Sequence, residues 1–355
     1  MPELPEVERA TEVITAVGAG KNIERVETTE DLLVYAGTTH DEFATEITGR
    51  RLKRAGRYGK VFYLELEGDG RMPVLHFGMT GAIQVRGGPS MYYRKQPEKA
   101  EVWPPRFMKF ILHLRDEASD TVTQLAFVDA RRLGRIRLCA SPLTEAPIST
   151  LGFDPILSMP ALENFKLSVL KRSCPIKALL LDQSFNAGVG NYVADEILYH
   201  ARVHPEQRCN ALTESQIAAL HLQTSEVCRI AVEAKADDSK FPEHWLFKHR
   251  WGKGKKEKHA MTLPTGEPAT IKWITVGGRT SAYVTELQRL TRNTRSGKAA
   301  EKSSGDESEL TTLTESDTEE TSKLAGKKRK MSKTVPKERV TRRKTAKMQI
   351  ARDQD

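Results

Sequence analysis

The amino-acid sequence predicts an α+β multidomain protein with a leading helix, an N-terminal antiparallel β-sandwich, a helical C-terminal domain ending in a β-hairpin, and a disordered tail. Three changes of pattern support this fold class. Alternating and β-branched segments dominate the first half, helical periodicity begins at Pro160, and hydrophobic periodicity stops near Thr294. We place the domain boundaries at 1–150, 151–236, 237–293 and 294–355.

Size and charge restrict the function classes. The chain has 355 residues, which favours two domains, and its formal charge of +9 indicates an acidic partner, with nucleic acid as the first candidate. The four cysteines, at 139, 174, 209 and 228, form neither a zinc pattern nor a disulfide framework, so we interpret them as incidental thiols of a reducing compartment. No apolar run approaches the roughly 18 residues of a membrane span, and the start is not signal-like.

The first element is an N-terminal helix. Pro5 suits a first helical position, Glu6 and Glu8 suit the first-turn dipole, and Val7, Ala10, Ile14 and Val17 fall on one face. We expect the initiator Met to be removed, which leaves Pro2 as a terminal secondary amine beside Glu3. An α-amino group has a pKa of roughly 7.7–8.0, so part of it is a neutral nucleophile near pH 7. Glu6 is a further candidate site residue.

The first half of the chain predicts strands. The segments 51–67, 72–86, 107–115 and 122–139 alternate or are β-branched, and glycine-containing breaks separate them. An antiparallel sandwich is the expected result. The polar, Pro-containing stretch 87–103 predicts an exposed loop.

Three positions in this half stand out. Lys60 precedes the apolar run 61–64, where a lysine is usually a solvated edge charge. Met79 lies in the turn His76-Phe-Gly-Met-Thr-Gly81, where a methionine is ordinarily core filler. The break Asp129-Ala-Arg-Arg-Leu-Gly134 carries Arg131 and Leu133 on a polar, hairpin-like loop.

The second half predicts helices and then a hairpin. Periodic segments cover 162–170, 176–181, 192–200 and 213 to about 236. Gly188 and Gly190 precede Asn191 and a helix start, a pattern that leaves backbone N–H groups free for an anion such as phosphate. Gly277-Gly278 between 271–276 and 279–284 is a two-residue hairpin signal with Arg279 at its tip.

Several of these stretches resemble the formamidopyrimidine-DNA glycosylases, the bacterial, plant and fungal repair enzymes for oxidised purines. Met-Pro-Glu-Leu-Pro-Glu-Val-Glu at 1–8 resembles their N-terminus, and Gly188-Val-Gly-Asn-Tyr-Val-Ala-Asp-Glu196, with His204-Pro205 beyond it, resembles their helix–two-turn–helix signature. No cysteine lies between 250 and 290, so the hairpin resembles the zincless finger of plant and fungal members. The resemblance covers about residues 1–290.

The resemblance implies roles for these residues. Pro2 would attack the sugar C1′ of a flipped nucleotide and Glu3 would shuttle protons, whereas Glu196 is expected to give structural support. Lys60, helped by the charges of Arg54 and Arg57, would bind phosphate together with Asn191 and Arg279. Met79 and Arg131 would fill the vacated space, with Leu133 in place of the family's aromatic wedge. No metal or organic cofactor is implied. The expected partner is damaged double-stranded DNA, and we expect a monomer.

Two other functions remain open at the level of the sequence. The chain could prefer oxidised pyrimidines, although Leu4 and the loop of Arg131 argue against this preference. It could also be a non-catalytic lesion binder that keeps the scaffold. The short connector Asp237–Pro242 replaces a longer glycine-rich loop of bacterial relatives, so we expect formamidopyrimidines and hydantoins to be excised well and 8-oxoguanine poorly.

The tail contains two charge blocks. Residues 301–320 hold eight acidic side chains and one basic one, and residues 321–352 hold thirteen basic side chains and one acidic one. Clusters at 327–330 and 342–344 are typical of nuclear import signals or non-specific DNA contacts. We therefore expect a nuclear protein.

Overall fold

Helix α1 (Leu4–Gly18) contacts the two largest hydrophobic cores in the described part of the chain. Val7, Ala10 and Ile14 are buried in the core of the β-sandwich, whereas Leu4 is buried in the core of the helical half. Helix α1 begins one residue earlier than Pro5, with Glu3 as its N-cap. The predicted apolar face is confirmed, and its first turn lies at the junction of the two halves.

The structure, a computed structural model, describes residues 1–88, 102–252 and 261–290. All of them belong to one compact unit, residues 1–295. The predicted loop 87–103 lies largely outside the described residues, and the tail from 294 lies wholly outside them. No helix in the described part of the chain is long and apolar enough to cross a membrane.

The first half is a sandwich of two four-stranded antiparallel sheets, as predicted. One sheet has the order β1 (Asn22–Thr28), β6 (Met108–Asp116), β7 (Thr121–Val128), β5 (Ala82–Val85). The other has the order β2 (Leu52–Tyr58), β3 (Val61–Leu66), β4 (Met72–His76), β8 (Arg135–Cys139). Their facing side chains form one core that includes Phe62, Phe77, Phe110 and Phe127.

Two elements of the sandwich were not predicted. Strand β1 pairs with β6, and helix α2 (His40–Ile47) packs Phe43 and Ile47 into the core. Helix α2 begins with a capping box in which Thr39 and Glu42 accept each other's backbone N–H. The Thr-x-x-Glu pattern was therefore a usable signal for this helix.

The second half contains four helices among its described residues, α3 (Leu162–Leu170), α4 (Ile176–Leu181), α5 (Asn191–His200) and α6 (Glu214–Glu233). They enclose a core of their own, to which α5 contributes Val193, Ile197 and Leu198. The predicted long helix ends at Glu233, because Lys235 and Ala236 take left-handed backbone angles (φ 56° and 52°).

The predicted hairpin is confirmed. Strands β9 (Ile271–Val276) and β10 (Arg279–Val284) pair antiparallel, with Val276 opposite Arg279. Gly277 and Gly278 both have positive φ (59° and 71°), which a tight two-residue hairpin turn requires.

Candidate active site and DNA-contacting surface

The Glu3 side chain connects the chain terminus to helix α5. Its two carboxylate oxygens accept the backbone N–H of Tyr192 at 3.1 Å and of Val193 at 3.2 Å. The side chain is 3% exposed. Because α5 presents its positive end here, it holds an anion favourably. Glu3 is therefore fixed, and Pro2 is placed at this junction by its peptide bond to Glu3.

Glycines make the close approach between the two halves possible. A Cβ on Gly190 would lie 2.2 Å from the Glu3 Cδ, and one on Gly188 would lie 2.8 Å from Leu4 Cδ1. Gly188 also has φ +100°, and its carbonyl accepts the Leu4 N–H at 3.1 Å. The loop 187–190 is thus shaped to receive the first turn of α1.

This arrangement corrects one expectation. The N–H groups at the start of α5 were expected to be free for a phosphate, but those of Tyr192 and Val193 bind the Glu3 carboxylate. The anion at this helix N-terminus belongs to the chain itself. These two N–H groups are therefore not available to an external anion.

Lys60 reaches the same loop from the β2–β3 turn. Its Nζ donates to the Val189 carbonyl at 2.9 Å. Desolvation lowers the pKa of Lys60, an effect opposed by the nearby Glu3 and Glu6 carboxylates and reinforced by Arg279. These influences place Lys60 within electrostatic range of both the terminus and the hairpin tip.

Asn191 joins helix α5 to the hairpin. Its Nδ2 donates to the Thr280 carbonyl at 2.9 Å, beside the exposed Arg279. An amide nitrogen has two N–H groups, so one remains for another acceptor. Lys60, Asn191 and Arg279, proposed separately from the sequence, are therefore brought together around one end of α5.

A buried carboxylate that sequence reasoning missed secures the hairpin. Asp195 accepts hydrogen bonds from Lys177 Nζ, from Ser281 Oγ at 2.5 Å, from Arg250 at 2.6 Å and from the Ala282 N–H at 3.2 Å. Lys177 also donates to the Asn191 carbonyl at 2.8 Å. Asp195 thus connects α4, α5, the segment before the hairpin and β10.

Glu6 lies one turn inside α1, beside Glu3. One of its oxygens accepts the Tyr192 hydroxyl at 3.0 Å and the other accepts the Glu3 N–H at 2.8 Å. Desolvation, followed by repulsion from Glu3, raises the pKa of Glu6 to about 8. Its side chain is therefore mostly a neutral acid near pH 7, which can donate a hydrogen bond as well as accept one.

The Met79 turn (77–81) and the Arg131 loop (129–134) pack against each other. A Cβ on Gly78 would lie 2.4 Å from the Leu133 carbonyl group, and the Asp129 carboxylate accepts Thr80 Oγ1 at 2.8 Å and the Arg131 N–H at 3.1 Å. The structure therefore brings together Met79, which is half-buried, and Arg131 and Leu133, which are exposed.

The two arginines of this loop have different environments. Arg132 has φ +56° and forms a double hydrogen bond to the Asp31 carboxylate, at 2.9 and 3.0 Å. Both arginines are exposed, but the Arg132 guanidinium is already paired with a carboxylate. His76, which the sequence did not single out, supports the neighbouring turn because its Nδ1 accepts the Gly78 N–H at 3.0 Å. Burial and the cations of Lys60 and Arg135 lower the pKa of His76 to about 4.

Two other expectations concern charged side chains. Arg57 was expected to add charge around Lys60, but it is buried between the carboxylates of Glu8 and Asp154 and is neutralised by them. Arg54 pairs with Glu65 at 2.6 Å. Neither Arg54 nor Arg57 therefore adds an unpaired positive charge near Lys60, whereas Arg279 acts on it electrostatically.

Glu196 is buried and supports the segment that follows the connector Asp237–Pro242, in line with its expected structural role. Its oxygens accept the N–H groups of Leu246 at 3.0 Å and Phe247 at 2.8 Å. The connector begins with a short 3₁₀ turn, Asp238–Lys240, and Phe241 and Trp245 are buried beyond it. In the described residues, no group of three or more His, Cys, Asp or Glu side chains could hold a metal ion.

Comparisons with known proteins agree with this architecture. A family model described as the formamidopyrimidine-DNA glycosylase N-terminal domain matches residues 1–136, and the one described as the H2TH domain of the same enzymes matches residues 151–243. The chain is 41% identical over 303 residues to a formamidopyrimidine-DNA glycosylase of Arabidopsis thaliana, covering 85% of this chain and 73% of that protein. It is 31% identical over 300 residues to one of Desulforamulus reducens, covering 81% and 99%.

Solved structures show the same fold. The formamidopyrimidine-DNA glycosylase of Lactococcus lactis, bound non-covalently to DNA containing an abasic site, superimposes with a TM-score of 0.64 at 24% identity. The match covers 81% of this chain and 99% of that one.

Proposed function

This chain belongs to the formamidopyrimidine-DNA glycosylase family of base excision repair, whose members are DNA glycosylases with AP lyase activity, and we propose that it excises oxidised purines with Pro2 as its nucleophile. The observation that carries the proposal is the Glu3 carboxylate bound to the N-terminus of α5. This contact fixes Glu3, the residue after Pro2, beside the loop 187–190. Lys60 binds the same loop, and Asn191 follows it directly.

The nucleophile is the secondary amine that removal of Met1 leaves on Pro2. The neutral amine attacks C1′ of the flipped nucleotide, the C1′–N bond breaks, and the base departs with a proton. Opening of the sugar ring then gives an iminium ion between Pro2 and C1′, which is permanently charged because the amine is secondary. Glu3 takes up the proton that the attacking amine loses and delivers it to the opened sugar oxygen.

Strand cleavage follows from the iminium ion. It draws electrons from C2′, so a C2′ proton is lost and the 3′-phosphate leaves by β-elimination. A second elimination releases the 5′-phosphate. Water then hydrolyses the remaining adduct and regenerates Pro2.

The surrounding residues position the DNA. Lys60, Asn191 and Arg279 bind phosphates on either side of the flipped nucleotide, and such contacts position a strand without reading its sequence. Met79, Arg131 and Leu133 enter the space that the nucleotide leaves, where the planar guanidinium of Arg131 can hydrogen-bond the orphaned base. An aliphatic side chain such as Leu133 can still separate a base step.

The neutral Glu6 acid is proposed to contact the damaged base. Ring-opened formamidopyrimidines and non-planar hydantoins stack poorly and leave the helix readily, so they need few specific contacts. An intact, planar 8-oxoguanine needs more hydrogen-bond donors close to the base in order to be recognised. The N–H groups of Leu246 and Phe247 are already bonded to Glu196, which supports poor excision of 8-oxoguanine.

Borohydride trapping tests the proposal. The mature protein, mixed with a formamidopyrimidine duplex and borohydride, is expected to give a covalent protein–DNA adduct, and one additional N-terminal residue should abolish it. Pro2→Gly, which leaves a primary amine, should form the adduct at a reduced rate, while the exposed control Lys53→Ala should form it at the normal rate.

An N-terminally blocked protein that still formed the adduct would exclude Pro2 as the nucleophile. Absence of any adduct despite tight binding would favour a non-catalytic lesion binder, and faster reaction on thymine glycol would favour a pyrimidine glycosylase.

We also propose that the enzyme acts in the nucleus, as a monomer. The support for import is the pair of basic clusters at 327–330 and 342–344, which lie outside the described residues.

A further inference from the structure

Cys174 and Cys209 lie opposite each other on two chain segments that the backbone holds together. The Cys209 N–H donates to the Cys174 carbonyl at 3.0 Å, and the Ile176 N–H donates to the Gln207 carbonyl at 2.8 Å. Pro175 and Arg208, between these bonds, form an antiparallel bridge. The two cysteines are thus directly opposed in a short antiparallel pairing.

Opposed residues of this kind satisfy the distance requirement of a disulfide. The Cα atoms of a hydrogen-bonded antiparallel pair are about 5.5 Å apart, and disulfides span Cα separations of roughly 4.4–6.8 Å. Burial, with a contribution from the neighbouring Cys174 thiol, raises the pKa of Cys209 to about 12.

We propose that Cys174 and Cys209 form a reversible disulfide that closes the loop from 174 to 209. This loop contains α4, the glycine loop 187–190 and α5, so it includes both Lys177 and Asn191. The disulfide therefore restrains α4, the loop 187–190 and α5, on which the proposed phosphate contacts depend. This inference replaces the interpretation of all four cysteines as incidental thiols.

The other two cysteines do not share this arrangement. Cys139 ends strand β8 and its Sγ donates to the Ala146 carbonyl at 3.5 Å, while Cys228 is buried within α6. All four cysteines are free in the structure. Cys139 and Cys228 therefore provide matched controls.

Hydrogen peroxide is a sufficient oxidant. Cys174 is half-buried and Cys209 is buried, so Cys174 is the sulfur that peroxide reaches first. Its thiolate attacks one peroxide oxygen, an S–O bond forms, the O–O bond breaks and one water leaves, giving a sulfenic acid. The Cys209 sulfur then attacks the Cys174 sulfur, an S–S bond forms, the S–O bond breaks and a second water leaves. The two sulfurs lose two electrons in total and the peroxide gains them.

A small thiol such as glutathione would reverse the reaction by thiol–disulfide exchange. In a reducing compartment the bond is then transient, as is usual for disulfides of such proteins. It accumulates under the oxidising conditions that also produce oxidised purines.

Peptide mapping tests the connectivity. The full chain is treated with hydrogen peroxide, free thiols are alkylated, and the protein is cut with trypsin. Because Arg208 and Arg229 bound a peptide that contains both Cys209 and Cys228, the experiment is run in Cys228→Ser. We expect a peptide pair joined through Cys174 and Cys209. Oxidation that stops at a sulfinic acid on Cys174, or that joins two protein molecules, would overturn the proposal.

Thermal unfolding tests whether the disulfide stabilises the fold. Closing a loop of this length should raise the melting temperature of the oxidised protein by about 5 °C or more, and dithiothreitol should reverse the increase. Cys209→Ser should lose the difference between oxidised and reduced samples, and Cys139→Ser should keep it. If the oxidised protein contained the mapped disulfide but melted at the same temperature as the reduced protein, the disulfide would not stabilise the loop from 174 to 209.

Discussion

Glu3 sets the position of its neighbour because its side chain and its backbone are both held. The carboxylate is bonded to two N–H groups of α5, and the Glu3 N–H is bonded to Glu6 at 2.8 Å. A carboxylate has about four acceptor sites, so two bonds to α5 leave others for a sugar hydroxyl. The same side chain can therefore hold Pro2 in place and exchange a proton with the substrate.

Lys60 is expected to contribute one phosphate contact. Removing one contact lowers the magnitude of the salt dependence of binding by about one unit, equally for all sequences. Lys60→Ala should thus weaken binding to an abasic-site duplex and flatten the plot of log Kd against log salt. Lys53→Ala, an exposed lysine paired with Glu65, should leave the slope unchanged. If the Lys60 variant kept the wild-type slope, its phosphate role would be wrong.

Glu6 should make the stability of the protein depend on pH. Its pKa rises from 4.5 in the unfolded chain to about 8 in the fold, so the folded state binds the proton more tightly. Stability should therefore fall as the pH rises from about 4.5 to about 8, by on the order of 4 kcal/mol. Glu6→Gln should remove this contribution in urea unfolding measured at pH 5 and pH 8. The exposed Glu30→Gln is the control, and parallel profiles for wild type and Glu6→Gln would contradict the assignment.

At the scale of elements, the hairpin depends on Asp195. Its carboxylate is fully buried and bonded to Lys177, Arg250 and Ser281. Asp195→Ala would leave two buried cations without their partner, a change that costs about 3–5 kcal/mol. Chemical unfolding measures this loss, and the exposed Asp41→Ala is the control. A loss below about 1 kcal/mol would mean that the hairpin is held in some other way.

The same variant should also reduce the contribution of Arg279 to DNA binding. Ser281 and Ala282, both bonded to Asp195, follow Arg279 closely on β10. If Asp195 holds the hairpin in place, Arg279→Ala should weaken binding less in the Asp195→Ala background than in the wild type. If Arg279→Ala weakened DNA binding equally in both backgrounds, the phosphate contact of Arg279 would not depend on the hydrogen bonds of Asp195.

The connector after α6 is expected to determine lesion choice. Within the connector, the N–H groups of Ser239 and Lys240 are bonded to Asp237 and that of Phe241 to Asp238. Beyond it, Glu196 occupies the N–H groups of Leu246 and Phe247, so this part of the chain offers few donors to a base. Single-turnover excision of 8-oxoguanine should be at least about tenfold slower than that of a formamidopyrimidine, because about 1.4 kcal/mol of missing stabilisation suffices. A longer glycine-rich loop grafted into 237–242 should accelerate 8-oxoguanine excision alone. Comparable rates on the two lesions in the unmodified protein would refute this explanation.

Elements with strong local rules were predictable from the sequence. The hairpin bounds were correct because Gly277-Gly278 permits only a tight turn, and the buried face of α1 was correct because Val7, Ala10 and Ile14 repeat at helical spacing. Strand β1 was missed because its residues are mostly half-exposed and do not alternate cleanly. The occupant of the α5 N-terminus could not be predicted, since a glycine pattern shows that an anion can approach but not which one. The role of Asp195 depends on four partners distant along the chain.

At the scale of the whole molecule, the proposed catalytic residues lie where two separate hydrophobic cores meet. Leu4 belongs to one core and Val7 to the other, although both are on the first turns of α1. The terminus is thus positioned by both halves of the compact unit, while Lys60 comes from the sandwich and Asn191 from the helical half. Each half supplies part of the site, and we expect neither to act alone.

Removal of residues 296–355 tests whether the compact unit is sufficient for catalysis. Every proposed catalytic and phosphate-binding side chain lies within residues 1–295, so excision from a short duplex should remain within about twofold of the full chain, a difference of about 0.4 kcal/mol. The basic block 321–352 adds charge that binds DNA non-specifically, so the affinity of the truncated protein for long undamaged DNA at low salt should fall.

A fluorescent fusion of the truncated protein should also lose nuclear accumulation, and substitution of 327–330 alone by alanine should reproduce part of that loss. A truncated protein that remained nuclear would contradict the import role of the tail, whereas one that lost excision would place part of the site in the tail.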